Sequence, residues 1–538
     1  CNFPPAPVAF RNSGPVAERS NTVTANSSNT SKTPQRRAKD VDVLLLLEGT
    51  FPFVSGGVSS WVNQIIRGFP ELRFGAVFLG SRPQDYGDMR YALPDNLVHL
   101  EIAYLYEDKL NPSVAPAKAN AKGMALMKDV HASFETDVQT PACAGIFAQL
   151  MDEAGPDGKL SHESFLYSEA SWEYIKDSYR RRSTDPSFVD YFWTIRTMHT
   201  PFWRLREVAL KCPNARIYHS ISTGYAGILG VLLKHRNKRP FILSEHGIYV
   251  KERKIDLYQA QWLKDNRGVF DKDPSRVSYF RQLWIRFFEH LGYVTYQAAD
   301  DIVALYEANR QRQLLDGAPP ERTTNIANGI DVARFAPLRA QRPEKTPHVL
   351  CLIGRVVPIK DIKTFIRAMR TVVNHLPDAE AWIAGPEDEA PGYAQECREL
   401  AQQLGLQDKV KFLGFQKLTD LLSKVGVVVL SSISEALPLV ILEGYAAGVP
   451  TLSTDVGSCR QLVYGLPGED EAIGASGRVV RIADPQSLAN AALELLGNTD
   501  AWNQASAAAI RRVETYYSQD MMFARYRELY EKSFQWQA

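Results

Sequence analysis

The sequence predicts an α/β protein of two doubly wound, Rossmann-like domains facing a cleft, with a helical insertion in the first domain. Three observations carry this. Strand and helix patterns alternate through most of the chain, the strand patterns are unbroken apolar runs, and the alternation starts afresh near residue 346. Unbroken apolar strands belong to parallel sheets that helices cover on both faces.

Residues 1–39 are rich in Asn, Ser, Thr and Pro and have almost no apolar periodicity. Such a composition cannot bury a core, so a disordered tail is expected. Order is expected to begin at DVDVLLLLEGTFPFVSGGVSSWVNQIIRGF, with a strand over 41–47, a loop, the pair Gly56–Gly57 and a helix from Val58. RFGAVFLGS, ARIYHSIS and PFILSEHG read as further strands. Between about 105 and 205, SWEYIKDSYRRR and YFWTIRTMHTPFWRLREVALK carry aromatic residues at helical spacing, which predicts the insertion. RVSYFRQLWIRFFEHLGYVTYQAAD is a long helix that leads into the strand DIVALY. NIANGIDVARF (325–335) turns at Asn328–Gly329 and is expected to close a first domain spanning 40–340.

The second domain, 341–515, opens with the strand PHVLCLIG and the helix DIKTFIRAMRTVVNHL. The strand AEAWIAG, the helix YAQECRELAQQLG and the strands KVKFLG and VGVVVLSS follow. SEALPLVILEGYAAGVP then leads to the strand PTLSTD.

A formal net charge of +1 gives no sign of a nucleic-acid or membrane surface. The six cysteines form no C-x-x-C and no zinc spacing, so no metal is expected and a reducing, cytoplasmic setting is. Cys351, inside an apolar strand, reads as a small core residue. No apolar run approaches the roughly 18 residues that span a bilayer. For the first position, Cys1, a shortened reading frame is the expectation rather than lipidation.

Candidate site residues cluster at the carboxyl ends of strands, where open α/β sheets bind ligands. In SEALPLVILEGYAAGVP, Pro438 is placed near the first position of a helix. The free N–H groups of Leu439 and Val440 and the positive end of the helix dipole would favour an anion. Glu443, one turn in, would accept hydrogen bonds from a cis-diol such as a ribose; capping a neighbouring helix or pairing with a cation explains it equally. Glu435 lies in the preceding loop, nearer whatever hangs beyond the phosphates. In GRVVPIKD, Arg355 and Lys360 suit a departing diphosphate, or are two solvated surface cations. In the first domain, Gly56 and Gly57 start a helix, STGYAG (222–227) is a comparable loop, and Glu245 and His246 end a strand. A lone histidine is commonly structural.

Together these stretches resemble one family. SEALPLVILEGYAAGVP resembles the E-x7-E signature of family 4 glycosyltransferases (GT4), GRVVPIKD its G-R-x(4)-K phosphate motif, and NIANGIDVARF its N-G-(I/V)-D-x-x-x-F segment. LLLEGTFPFVSGGVSSWV, SEHGIYVKERKIDL and LYEANRQRQLLDGA resemble the glycosyltransferases of Pel exopolysaccharide synthesis within it. The resemblance implies a GT-B fold and a retaining, metal-independent transfer from a UDP-sugar, with no cofactor. It places Glu443 at the ribose, and Arg355, Lys360 and Gly354 at the diphosphate. It places Glu435 and His246 at the donor sugar and Gly57 at the donor phosphates. A C-terminal helix within 516–538, MMFARYRELYEKSF, would cross back to the first domain. UDP-glucose or UDP-N-acetylgalactosamine is the donor it implies, with a polysaccharide acceptor. A membrane-bound export partner is implied too, with the enzyme cytoplasmic or peripheral at the inner membrane. Two departures stand out: Ala436 follows Glu435 where many relatives have Gly, and Gly444 follows Glu443 where many have Ala. Sugar-nucleotide epimerases, pyridoxal-phosphate phosphorylases and a non-catalytic nucleotide-sugar-binding subunit are the competing readings.

Overall fold

The computed structural model describes residues 36–106, 118–134, 145–147, 149–150, 153, 160–268 and 277–535. The expected tail lies outside these residues as far as position 35, as do parts of the expected insertion. The chain divides into two compact units. The first holds the described residues up to Val303, Arg312–Thr324 and those from Tyr530; the second holds Ala304–Gln311 and Asn325–Leu529.

The first unit is built on a seven-stranded sheet of order β3-β2-β1-β4-β5-β6-β7. Its strands are β1 (Asp40–Glu48), β2 (Phe74–Gly80), β3 (Leu97–Tyr104), β4 (Asn214–Ser220), β5 (Phe241–Glu245), β6 (Asp301–Ala304) and β7 (Thr323–Asn325). β1 is central, parallel to β2 on one side and β4 on the other. Its run Leu44–Leu47 is fully buried, as two covered faces require. The insertion is helical where described, with helices at Ala121–Ser133, His162–Tyr167, Glu169–Arg182 and Phe188–Lys211. Their Met127, Phe165, Ile195 and Phe202 join Ile228 and Leu291 in one apolar cluster, so the insertion shares the core of the sheet domain.

The second unit has a six-stranded sheet of order β10-β9-β8-β11-β12-β13. Its strands are β8 (Val349–Ile353), β9 (Glu380–Ala384), β10 (Val410–Gly414), β11 (Val427–Leu430), β12 (Thr451–Thr454) and β13 (Gly477–Val480). All neighbours run parallel. Alternate residues feed opposite layers. Leu350, Leu352, Val427 and Val429 enter one apolar cluster. Cys351, Val428 and Leu430 enter the other, with Ile441 and Tyr445, and Cys351 is a fully buried core residue.

Three strands escape a search for apolar runs, β3, β7 and β13. All three are sheet edges. An edge strand is covered less completely; LVHLEIAY and GRVV mix polar with apolar residues, and TTN has no apolar residue. The segment 325–335, expected to close the first domain, lies in the second unit. Its Ile330 exchanges backbone hydrogen bonds with Tyr517 and Gln519, which ties it to the C-terminal stretch. The helix Gln519–Phe534 belongs to the second unit through Leu529 and to the first from Tyr530. Among the described residues, no helix is long and apolar enough to cross a membrane.

Candidate functional site

The strand order of the second unit reverses between β8 and β11. At such a switch point the connections leave to opposite faces and open a crevice at the carboxyl ends of the strands. The loops that follow these two strands, 354–361 and 431–438, therefore meet. The Ile433 N–H donates to the Ile359 carbonyl at 2.8 Å, and the Ser431 hydroxyl donates to the Lys360 carbonyl at 2.8 Å. Lys360 is thereby set opposite Glu435, and its Nζ donates to Glu435 Oε1 at 2.5 Å. The Ser432 hydroxyl donates to the same oxygen at 2.7 Å. Both side chains of the ion pair are mostly buried, 18% and 17% exposed, so their attraction is less screened than at a surface.

The next helix is Leu439–Ala446, with Pro438 at its N-cap position rather than inside it. No side chain caps it, which leaves the N–H groups of Leu439 and Val440 to face an anion. Glu443 lies one turn in, between the buried Leu442 and Gly444. Among the described residues no hydrogen bond reaches its carboxylate, and burial raises its pKa, opposed only by the charge of Arg334. A carboxylate left this way is costly without a donor from elsewhere.

Two glycines shape the crevice. Gly354 has φ +154, which favours glycine, and a β-carbon there would lie 3.3 Å from Cε of Lys360, so the lysine stem runs close past it. Gly457 has φ +54, and a β-carbon there would fall 2.3 Å from the Ala436 carbonyl oxygen and 2.4 Å from that of Glu435. Arg355 is not drawn into this cluster. It pairs with Glu389 on the surface, both side chains well exposed. A surface pair of this kind is worth little, so Arg355 is free to exchange partners.

In the first unit the corresponding reversal falls between β1 and β4. Gly57 begins the helix Gly57–Gly68, uncapped by any side chain, and a β-carbon on it would meet nothing within 4 Å. The protein's own packing therefore does not require a glycine there. The loop 222–227 is filled from within. Glu48 accepts from the Ala226 N–H at 3.1 Å and from the Tyr249 hydroxyl at 2.8 Å, so this helix start already holds a carboxylate and is no anion site. Glu245 is fully buried and takes hydrogen bonds from Tyr296, Gln313, Thr223 and the Tyr249 N–H. Burial pushes it up to about 7, and its role is structural.

His246, its neighbour, differs. It is 6% exposed, its Nε2 has no hydrogen-bond partner, and its ring stands edge-on to Trp61 at 4.5 Å. Burial holds it down at about 3, hence neutral. Among the described residues, no three His, Cys, Asp or Glu side chains gather as a metal would need.

Ser432, Gly457, Arg334 and Trp61 escape a reading of the sequence. Ser432 stands among the serines of SSISE, and Gly457 acts on a loop twenty residues upstream. Only the partial match of Ser432 to the strand end, three residues before Glu435, could have marked it.

Residues 41–321 match the family described as "Domain of unknown function (DUF3492)", more than half of the chain, and residues 347–498 match "Glycosyl transferases group 1". A D-inositol 3-phosphate glycosyltransferase 2 of Catenulispora acidiphila is 28% identical over 265 residues, 44% of this chain and 58% of that protein. The chain spans little more than half the length of the curated relatives it matches. The crystal structure of HepE from Anabaena in complex with UDP and glucose aligns with TM-score 0.51 and 15% identity over 91% of this chain and 100% of that one. Sucrose-phosphate synthase from Thermosynechococcus elongatus aligns with TM-score 0.53 and 16% identity over 92% and 99%. At such identities the likeness is one of fold. The chain therefore belongs to the DUF3492 family and carries a group 1 glycosyl transferase domain on a GT-B fold.

Proposed function

We propose that this glycosyltransferase moves a hexosyl unit from a UDP-sugar, UDP-glucose or UDP-N-acetylgalactosamine, to a growing polysaccharide of Pel type, with retention and without a metal. One observation supports the donor site above all. Lys360 and Glu435 pair where two strand-end loops meet, and the helix that follows, Leu439–Ala446, has an uncapped start and carries the donor-starved Glu443 one turn in. A diphosphate would take Lys360 and the Leu439 and Val440 N–H groups. A ribose would donate its hydroxyls to Glu443, and the sugar beyond would reach Glu435. Arg355, weakly engaged on the surface, would turn to the phosphates. His246, neutral and with an idle Nε2, is fit to accept from a sugar hydroxyl. The Pel assignment rests on the stretches around Gly57, His246 and 305–318, and with it go a cytoplasmic setting and a membrane-bound export partner.

The reading supplies no protein nucleophile. The acceptor hydroxyl would enter on the face the phosphate leaves, and the departing phosphate oxygen would take its proton. Catalysis would then come mainly from preorganised positive charge, Lys360 and the helix start, meeting the negative charge that grows on the diphosphate.

Calorimetric titration tests this with UDP, GDP and ADP, then with UDP-glucose, UDP-N-acetylgalactosamine and UDP-N-acetylglucosamine, each with and without EDTA. UDP-selective binding that EDTA leaves unchanged is expected. No UDP binding, or binding lost to EDTA, overturns the proposal. Conversion of the donor sugar to its epimer without acceptor would replace it with the epimerase reading.

A further inference from the structure

We propose that Ser432 is a positioning residue of the transfer. It keeps Glu435 in place when the donor diphosphate draws Lys360 away. The inference rests on the donor-site reading given above. In the free protein Glu435 Oε1 carries two donors, Lys360 Nζ at 2.5 Å and the Ser432 hydroxyl at 2.7 Å. Among the described residues Oε2 carries none. The carboxylate is therefore gripped by one oxygen and offers the other.

A diphosphate brings more negative charge than a carboxylate, and Lys360 is a compact cation on a flexible stem, able to change partners. Its departure would release Glu435, a loop side chain, just when the sugar needs it. Ser432 prevents that because it cannot follow. It is 1% exposed, and its carbonyl accepts from the buried Thr454 hydroxyl at 2.6 Å. Ser432 is thus fixed by β12, while the neighbouring Ser431 hydroxyl holds the Lys360 carbonyl and keeps the lysine backbone from drifting. The division of labour is specific. Lys360 answers to the phosphates, Ser432 holds one oxygen of Glu435, and the free oxygen meets a sugar hydroxyl.

The test is calorimetry of UDP, and of whichever of UDP-glucose and UDP-N-acetylgalactosamine the wild type binds, on Ser432→Ala, Glu435→Gln and the double variant. Ser432→Ala is expected to keep UDP affinity within about threefold of wild type and to weaken the sugar donor about tenfold, the worth of one hydrogen bond to a charged group. Glu435→Gln, which frees Lys360 from its counter-charge, is expected to bind UDP at least as tightly as wild type. Adding Ser432→Ala to it should change donor affinity less than twofold. Ser432→Thr, which restores the hydroxyl, should recover the donor affinity. If Ser432→Ala does not fold, Ser432→Cys, of similar size and a far weaker donor, should show the same tenfold split. UDP and donor weakened alike would make Ser432 a mere loop support and overturn the inference. So would no effect on either, or additive losses in the double variant. In each of these three cases the wild type still binds UDP and the donor-site reading stands. A wild type that binds no UDP overturns that reading and the inference together.

Discussion

Glu443 offers the sharpest separation between a functional and a structural carboxylate, because the two roles predict opposite signs. Its pKa is raised by burial, and no described group donates to it. A raised carboxylate pKa means that folding favours the neutral form. The stability tied to this group is fully present below the unfolded value of 4.5 and lost as pH rises through the folded value, above which the ionised side chain burdens the free protein. Glu443→Gln removes that burden. The variant is expected to melt at a higher temperature than wild type in the absence of nucleotide. Its UDP affinity should fall, because the charge that strengthens hydrogen bonds from the ribose hydroxyls is gone. One charged hydrogen bond is worth about 1.5–3 kcal/mol, which corresponds to a roughly 10- to 150-fold higher Kd. Differential scanning fluorimetry without nucleotide and UDP calorimetry at pH 7.5 measure the two quantities. Unchanged UDP affinity would remove Glu443 from the donor site. A lower melting temperature with lower affinity would show that the carboxylate supports the fold, and the reasoning from its missing donors would be wrong.

Three further outcomes are expected. Gly457→Ala would press a β-carbon on the Glu435 and Ala436 carbonyls at a positive φ; it should cost about 1–3 kcal/mol in urea denaturation and weaken UDP-sugar binding with it. Arg512 is fully buried and hydrogen-bonds the Asp470 carboxylate at 2.6 Å, so Arg512→Ala strands a buried charge and should cost about 3–5 kcal/mol in the same assay. His199, His219 and His246 are each held down at about 3 by burial, against an ordinary 6.5, so their stabilising effect is complete above pH 6.5 and is lost as pH falls toward 3. Each should withdraw about 2 kcal/mol by pH 5, opposed by the buried carboxyls Glu48, Glu245, Glu252 and Glu443, whose raised pKa values act in the opposite sense. Denaturation midpoints measured from pH 8 to pH 5 should fall, and a flat profile would contradict the buried, neutral assignment.

Most of the architecture is legible in the sequence because the strands at the sheet centres must be apolar on both faces. β1, β4, β5, β8, β9, β11 and β12 all stand out for this reason, and the helix start at Leu439 is marked by Pro438. β3, β7 and β13 do not, since a sheet edge relaxes the demand that makes a strand visible. The site is legible in a similar, partial way. Lys360, Glu435 and Glu443 are conspicuous as charges at strand ends and beside apolar runs; the structure pairs Lys360 with Glu435 and sets Glu443 one turn into the helix that follows, where Arg334 is the charge that acts on it. Arg355 fits the same pattern of sequence, yet its side chain pairs with Glu389 outside the crevice, because position along a loop does not determine where a long side chain points.

By itself, then, the sequence determined two parallel α/β domains, their strand-end loops and the charged residues in those loops, since hydrophobic periodicity and punctuation by Gly and Pro are local properties of a chain. Only the tertiary structure decided which loops meet. The reversal of strand order between β8 and β11 brings Lys360 to Glu435 across 75 positions, sets Ser432 on the same oxygen and lays Gly457 under their backbone. In the first unit the fold fills the 222–227 loop with Glu48, across 178 positions from Ala226, so this glycine loop is a buried cap. Such contacts depend on which strands become neighbours, and neighbour order is fixed by how whole layers pack, not by any residue's near sequence.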